Sequence, residues 1–232
     1  METWDTEWFR KLPDKEWLLP EEVTEKEGKE VADLFFTHEG MKVFDCPCGD
    51  GRISIHLARK GASVTGIDIN PRFIESAKRR FAKEGFDTDF SVCDMRDASF
   101  PGGCDLFLSW FNSFGYFSDE ENKKFMHTIS DCLRPGGLLV IENPIPDVER
   151  LIHRNGSGLN AEYSIDENER LVINYHDSET DMDYVSSERL YTKNEYESMF
   201  EECGMRLVKA YSEGFVPYSD DKIRMILVAE KL

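Results

Sequence analysis

The densest chemistry in the chain lies in Val43-Phe44-Asp45-Cys46-Pro47-Cys48-Gly49-Asp50-Gly51-Arg52. A short apolar run enters a glycine turn, and helical spacing resumes behind it. Gly49 and Gly51 tolerate positive φ and put no Cβ between a ligand and the backbone. Further on, an apolar run ends in Gly66-Ile67-Asp68, and another ends in Cys93-Asp94-Met95-Arg96. A carboxylate at a strand tip can accept two hydrogen bonds from a ribose diol, and open parallel sheets bind ligands at their carboxyl edge. Three neighbouring tips thus offer a turn, Asp68 and Asp94 along one edge.

The pyrophosphate fingerprint G-x-G-x-x-G asks for a third glycine where this chain has Ser54, and Asp50 sits inside the turn. An acidic turn repels pyrophosphate and tolerates a cation. S-adenosylmethionine carries a sulfonium and no phosphate, so these residues favour it over NAD.

Those tips need a sheet to hold them. Met41–Asp45 is a short apolar run; Arg52–Lys60 carries Ile53, His56 and Leu57 on one helical stripe and closes at Gly61. Ser63–Asp68 reads as a second strand. Asn70 caps and Pro71 opens a helix that runs to about Glu84. Asp89–Cys93 and Asp105–Trp110 read as strands. A helix starts at Ser118 and Asp119 and ends near Leu133, and Leu138–Glu142 is a fifth strand after the turn Arg134-Pro135-Gly136-Gly137. Apolar strands alternating with helices predict an α/β, doubly wound, Rossmann-like sheet covered on both faces. Short alternating runs over 159–192 predict an antiparallel insertion after strand five. A helix over Lys193–Cys203 and closing strands Met205–Tyr211 and Ile223–Ala229 complete a mostly parallel, seven-stranded sheet. The chain reads as one domain over 1–232, with 1–37 a helical cap and 145–191 an antiparallel insertion or lid. The cap rests on Trp4, Trp8, Phe9 and Trp17 and on a helix over 21–37, weakened by Gly28.

In these motifs the chain resembles the class I S-adenosylmethionine-dependent methyltransferases, from about Met41 to Glu142 and more loosely through the last two strands. The D-x-x-C-G-x-G-R turn is Asp45 to Arg52, the ribose acid is Asp68 in V-T-G-I-D-I-N, and the adenine-side acid is Asp94 in C-D-M-R-D. The segment Ser109–Tyr116 follows the fourth strand, and L-R-P-G-G-L-L spans Leu133–Leu139. Within the family the pattern is similar to small-molecule methyltransferases, including N-methyltransferases of amino sugars, which carry an antiparallel insertion after the fifth strand. The resemblance implies that Asp45, Gly49 and Gly51 line the methionine moiety, with Cys46, Cys48 and Arg52 in the same cofactor-binding turn. It implies that Asp68 holds the ribose and Ile69 packs on adenine. Asp94 would accept from the adenine amino group with Met95 on the ring, and Trp110 and Phe111 would close the pocket beside the sulfonium. Asn112 and Tyr116 are the candidates for positioning the acceptor.

Other residues read more plainly. Cys46-Pro47-Cys48 lacks the second pair a four-ligand zinc site needs, so no metal is expected and the thiols are small buried groups. His38, His56, His127, His153 and His176 read as surface or packed residues. Asn143-Pro144 superficially matches the N-P-P-Y motif of nucleic-acid amino methyltransferases, but that motif follows strand four and this one follows strand five. Trp4, Trp8 and Arg10 read equally as a lid, with Arg10 pairing the cofactor carboxylate, or as a helix packed on the sheet edge. Tyr163, Tyr175, Tyr184 and Arg189 in the insertion carry no readable substrate code.

Composition narrows the partners. The 28 Lys and Arg against 46 Asp and Glu give a formal charge of −18, and the longest basic cluster, Lys78-Arg79-Arg80, reads as a solvated helix face. Binding a phosphate backbone needs a basic stripe, so no nucleic-acid partner is expected. No run of 18 apolar residues spans a membrane and the acidic N-terminus lacks a signal's apolar region. Six sparse cysteines fit reduced thiols in a cytoplasmic protein. The expected activity is direct displacement onto the nitrogen or oxygen of a small molecule, by a monomer or homodimer. The absence of a Ser-His-Asp set or metal cluster mildly favours nitrogen. An NAD-dependent oxidoreductase, a non-catalytic cofactor-binding module, and a protein or RNA methyltransferase are the alternatives.

Overall fold

The computed structural model describes residues 9–10, 21–87, 89–100, 102–147, 161–177 and 182–232. A helix, α1 (Glu21–Phe35), leads into β1 (Lys42–Asp45), α2 (Ser54–Arg59), β2 (Ser63–Asp68), α3 (Pro71–Lys83) and β3 (Asp89–Val92). Then come β4 (Cys104–Ser109), α4 (Asp119–Cys132) and β5 (Leu133–Pro144). β6 (Ala161–Ile165), β7 (Arg170–Asp177) and β8 (Met182–Arg189) precede α5 (Lys193–Glu202), β9 (Met205–Ser212) and β10 (Arg224–Lys231).

Seven strands form one sheet in the order β3-β2-β1-β4-β5-β10-β9, with β3 to β5 parallel and β10 antiparallel to both neighbours. Each central strand alternates its side chains between two cores, as period-two geometry requires. Phe44, Phe107, Leu139, Ile141 and Leu227 pack on one face with Phe125, Met126 and Ile129 of α4 and Tyr196 and Phe200 of α5. Val43, Leu106, Leu108, Val140 and Ile226 pack on the other with α1, α2 and α3. β6, β7 and β8 form a separate three-stranded antiparallel sheet after β5, as the alternating runs predict.

Local chemistry sets the ends. The Asn70 side chain accepts from Arg72 N–H at the start of α3, with Pro71 in the first turn, and Ser118 with Glu121 makes a capping box on α4. Two expectations change. Arg134–Gly137 is not a turn before the strand but a bulge within β5: Cys104 pairs with Leu133 and Leu106 with Leu138, so the intervening residues loop out of the ladder. Lys78-Arg79-Arg80 is not simply a solvated face, because Arg80 turns inward and donates to the Asp50 carbonyl at 3.0 Å. Gly28 has a packing reason: a Cβ there would lie 2.1 Å from the His56 ring, which α2 buries against α1. Among the described residues no helix is long and apolar enough to cross a membrane. Trp4, Trp8, Trp17 and His153, and the side chains of Tyr175 and Tyr184, lie outside the described residues.

Candidate functional site

The turn behind β1 is tied to its neighbours by backbone bonds. Cys46 N–H donates to Leu108 O on β4 at 2.9 Å, and Cys48 N–H donates to Ile67 O on β2 at 2.8 Å. Gly49 and Gly51 adopt φ +52° and +70°, and nothing lies within 4 Å of where a Gly49 Cβ would stand. The floor of this turn is tight: a Cβ on Gly66 would meet the Phe90 ring at 2.5 Å and Cys48 Cβ at 2.9 Å.

Asp68, at the tip of β2, holds the turn. Its Oδ2 accepts from Gly49 N–H at 2.9 Å and its Oδ1 from Asn70 N–H at 2.8 Å. Burial pushes its pKa up to about 6 despite these bonds. Asp45 is 3% exposed, and burial, with the nearby Asp68 and Asp50 charges, pushes it up to about 7 against the opposing pull of Ser54 and Arg52. Asp50 is ion-paired with Arg80. Burial drives the Cys46 and Cys48 thiols well above their ordinary pKa, which leaves them as inert packing groups. Ile69 and Met95 are half-buried near this edge. Asp94, at the tip of β3, is clamped by Arg96, whose Nη2 donates at 2.7 Å and whose backbone N–H donates at 2.9 Å.

The segment behind β4 follows the strand that pairs with β1. Phe111 and Asn112 both take left-handed backbone, φ +67° and +54°. Such non-glycine residues cost about 1–3 kcal/mol each and persist where their surroundings hold them. Glu142 on β5 does so: its Oε2 accepts from Phe111 N–H at 2.8 Å and its carbonyl accepts from Asn112 N–H at 3.1 Å. Arg224 donates to the other Glu142 oxygen at 2.5 Å and to Glu27 of α1 at 3.1 Å. Arg52 donates to the same Glu27 at 3.3 Å, so Glu27 links the glycine turn to β10. The Phe111 ring lies between the two guanidiniums, 4.9 Å from that of Arg52 and 5.8 Å from that of Arg224. Trp110 turns to the α1 side of the sheet and stacks on Phe215 at 6.0 Å.

The insertion sheet docks onto this segment. Arg189 N–H of β8 donates to Gly115 O at 2.8 Å, and a Cβ on Gly115 would strike the Arg189 carbonyl at 2.2 Å. Arg170 of β7 donates to the carbonyls of Gly115, Tyr116 and Phe117. Asn112 Nδ2 donates to Glu188 of β8 at 2.5 Å, and the Tyr116 hydroxyl donates to the Asn112 carbonyl at 2.5 Å. Burial pushes Glu188 up to about 7, opposed by Asn112 and by the Arg170 charge. Burial, with the charge of Glu188 and then of Asp68 and Glu142, holds the Tyr116 hydroxyl well above its ordinary value. The Phe9 ring lies 5.1 Å from Tyr116, and the Arg10 charge bears on Asp94.

The structure therefore gathers Asp45, Cys46, Cys48, Gly49, Gly51, Arg52 and Asp68 at one turn, and it ties Asn112 to the insertion and Tyr116 to Asn112. Glu188, Glu142, Arg170 and Arg224 were invisible to the motif reading, because each acts through partners 17 to 197 positions away in sequence, as Arg170–Ser187 and Glu27–Arg224 illustrate. The donor set fits S-adenosylmethionine better than a pyrophosphate: buried carboxylates border open space over Gly49, and the Arg80 cation is engaged by Asp50. Among the described residues no group of three His, Cys, Asp or Glu is placed to hold a metal ion.

Residues 43–137 match the methyltransferase domain family. A ubiquinone biosynthesis O-methyltransferase of Methylocella silvestris is 46% identical over 101 residues, which is 44% of this chain and 39% of that protein. The chain thus spans well under half the length of that relative. The CcbJ methyltransferase of Streptomyces caelestis superposes with a TM-score of 0.70 at 16% identity, covering 94% of this chain and 100% of that one. CalS10 of Micromonospora echinaspora, an amino pentose methyltransferase solved with S-adenosylmethionine bound, superposes at 0.63 and 20% identity, covering 90% and 92%.

Proposed function

We propose that the chain is a class I S-adenosylmethionine-dependent methyltransferase, which transfers a methyl group from that donor to nitrogen or oxygen of a small molecule; the methyltransferase domain match over residues 43–137 supports this. The observation that carries this reading is the pair of buried, upward-shifted carboxylates, Asp45 and Asp68, beside the open left-handed turn at Gly49. Two buried acids, of which Asp68 has no cation among its partners and Asp45 has only the charge of Arg52, suit a ligand that brings positive charge and a diol.

When bound, the donor supplies an activated methyl on a sulfonium. The chain's residues do the rest. Asp68 receives the ribose hydroxyls, and its hold on Gly49 N–H fixes the turn beforehand. Asp45, Gly49 and Gly51, with Cys46, Cys48 and Arg52, border the methionine end. Ile69 and Met95 flank the adenine, and Asp94 reaches its amino group by sharing the carboxylate that Arg96 now holds. Trp110 and Phe111 close the β4 side. Asn112 and Tyr116 orient the acceptor from beneath the insertion, which serves as a lid within a single domain. Orientation and exclusion of water supply most of the acceleration when the methyl is already activated. The acceptor is a small molecule rather than a nucleic acid, consistent with the acidic charge. A monomer or homodimer in the cytoplasm suits its free cysteines.

Calorimetric titration with S-adenosylhomocysteine and with NAD, followed by methyl transfer from labelled donor to amino sugars and catechols, tests this. Saturable binding of the adenosyl ligand and label in an acceptor are expected. NAD binding with no adenosyl-thioether binding overturns the reading.

A further inference from the structure

The insertion's inner face holds a carboxylate that the network around the site leaves half satisfied. Across the β7–β8 ladder Leu171 pairs with Glu188 and Ile173 with Ser186, and all four side chains are buried. Glu188 Oε2 accepts from Asn112, whereas Oε1 accepts no hydrogen bond from the described residues. Asn112 Oδ1 and Ser186 Oγ are buried without a hydrogen-bond partner. Arg170 is the cation nearest in influence, yet its donors go to three carbonyls of the segment behind β4, to Ser187 O and to Ser187 Oγ. The other ionisable groups within its field are Tyr116, behind β4, and Tyr196 on α5, the latter also influenced by Glu142. None of them supplies a positive charge. A buried carboxylate without an ion pair, next to acceptor atoms without donors, is an unfavourable arrangement that a ligand can relieve.

We propose that Glu188 receives the methyl acceptor as an amine, holding its N–H donors and taking its proton; this rests on the methyl-transfer reading above. An ammonium brings both the missing charge and more than one donor, for Glu188 Oε1 and Asn112 Oδ1 together. A hydroxyl brings one donor and no charge. The amine nitrogen gives one proton to Glu188 Oε1, which frees its lone pair. The nitrogen–carbon bond then forms as the sulfur–carbon bond breaks, the bonding electrons remain on sulfur as a neutral thioether, and the product is an N-methylammonium. Glu188, now protonated, returns its proton to water. The Tyr116 hydroxyl donates to the Asn112 backbone carbonyl and so anchors the residue whose side-chain amide reaches Glu188.

The test uses the full chain saturated with S-adenosylhomocysteine, carbon-13 signals of the glutamate carboxyls with Glu188 assigned by its loss in E188Q, and two probes, methylamine and catechol. Methylamine is expected to move the Glu188 signal saturably and catechol to leave it in place. Transfer of labelled methyl to methylamine is expected to fall about 100-fold in E188Q, with affinity for S-adenosylhomocysteine unchanged as evidence of an intact fold. If the adenosyl ligand binds but methylamine leaves the signal unmoved at high millimolar concentration, or catechol alone moves it, the assignment of Glu188 is overturned and the methyl-transfer reading stands. If S-adenosylhomocysteine does not bind the wild-type chain, the methyl-transfer reading falls and this assignment with it.

Discussion

Replacing Asp68 with Asn separates two contributions of one carboxyl group. Asp68 accepts from Gly49 N–H at 2.9 Å and from Asn70 N–H at 2.8 Å. An Asn keeps the shape but turns an NH2 toward one of those donors. Losing that bond in a buried site costs about 1–3 kcal/mol at any pH. A pH-dependent gain runs against it. Burial lifts the folded pKa to about 6 from the ordinary 3.8, so the folded state holds the proton more tightly than the unfolded chain. The stability that Asp68 gives below the unfolded value is lost as pH rises through the folded one. Asn loses nothing over that range, so the deficit of Asp68→Asn relative to wild type shrinks by about 2 kcal/mol between about pH 4 and about pH 7. Urea unfolding followed by tryptophan fluorescence at each pH reads it. Donor binding moves the other way: a charge-assisted bond to the ribose is worth about 1.5–3 kcal/mol, so affinity for S-adenosylhomocysteine drops roughly 10- to 150-fold per lost bond. A pH-independent deficit together with unchanged affinity would refute both the burial argument and the role of Asp68.

Three further outcomes follow from the same geometry. Asp45 and Asp68 titrate at about 7 and about 6, so a cationic donor that prefers them ionised binds more tightly as pH rises through that window and releases protons near its middle; calorimetry in buffers of different ionisation enthalpy measures the release, and buffer-independent heats count against it. Gly115→Ala, at φ +109° with its Cβ 2.2 Å from the Arg189 carbonyl, is expected to cost about 2 kcal/mol or more and to loosen the insertion from the segment behind β4; an unchanged melting temperature and unchanged hydrogen exchange at β8 contradict it. Glu142→Gln leaves Arg224 with Glu27 alone and weakens the hold on Phe111, for an expected loss of about 3–5 kcal/mol in urea unfolding; a loss under 1 kcal/mol, roughly the value of an exposed pair, means the network is not acting as a buried one.

The five parallel strands and their helices were legible because their information is local. An apolar run such as Asp105–Trp110, short and set between helical segments, reads as a strand buried on both faces, and Asn70-Pro71 and Ser118 mark helix starts through bonds to residues two or three positions on. The glycine turn and Asp68 were legible for the same reason, since both end elements that the pattern fixes. What stayed hidden depends on the third dimension. Glu188 sits in a polar stretch, Ser186-Ser187-Glu188-Arg189, and only its pairing with the buried Leu171 across the ladder shows that its carboxylate is buried. Arg80 is indistinguishable in sequence from Lys78 and Arg79, and helical phase together with the position of Asp50 selects it. The bulge at Arg134–Gly137 reads as a turn because its composition is that of a turn; the ladder resumes on both sides of it. Gly28 reads as a weak point in a helix, whereas the His56 ring needs the space.

The central claim is that the carboxyl edge of β1 and β2 grips an adenosyl thioether. A crystal structure grown with excess S-adenosylhomocysteine decides it: the ribose hydroxyls within hydrogen-bonding distance of Asp68 and the amino-acid portion over Gly49 are predicted, and a well-ordered protein with ligand-free density above Gly49, or with the ligand seated elsewhere, contradicts it.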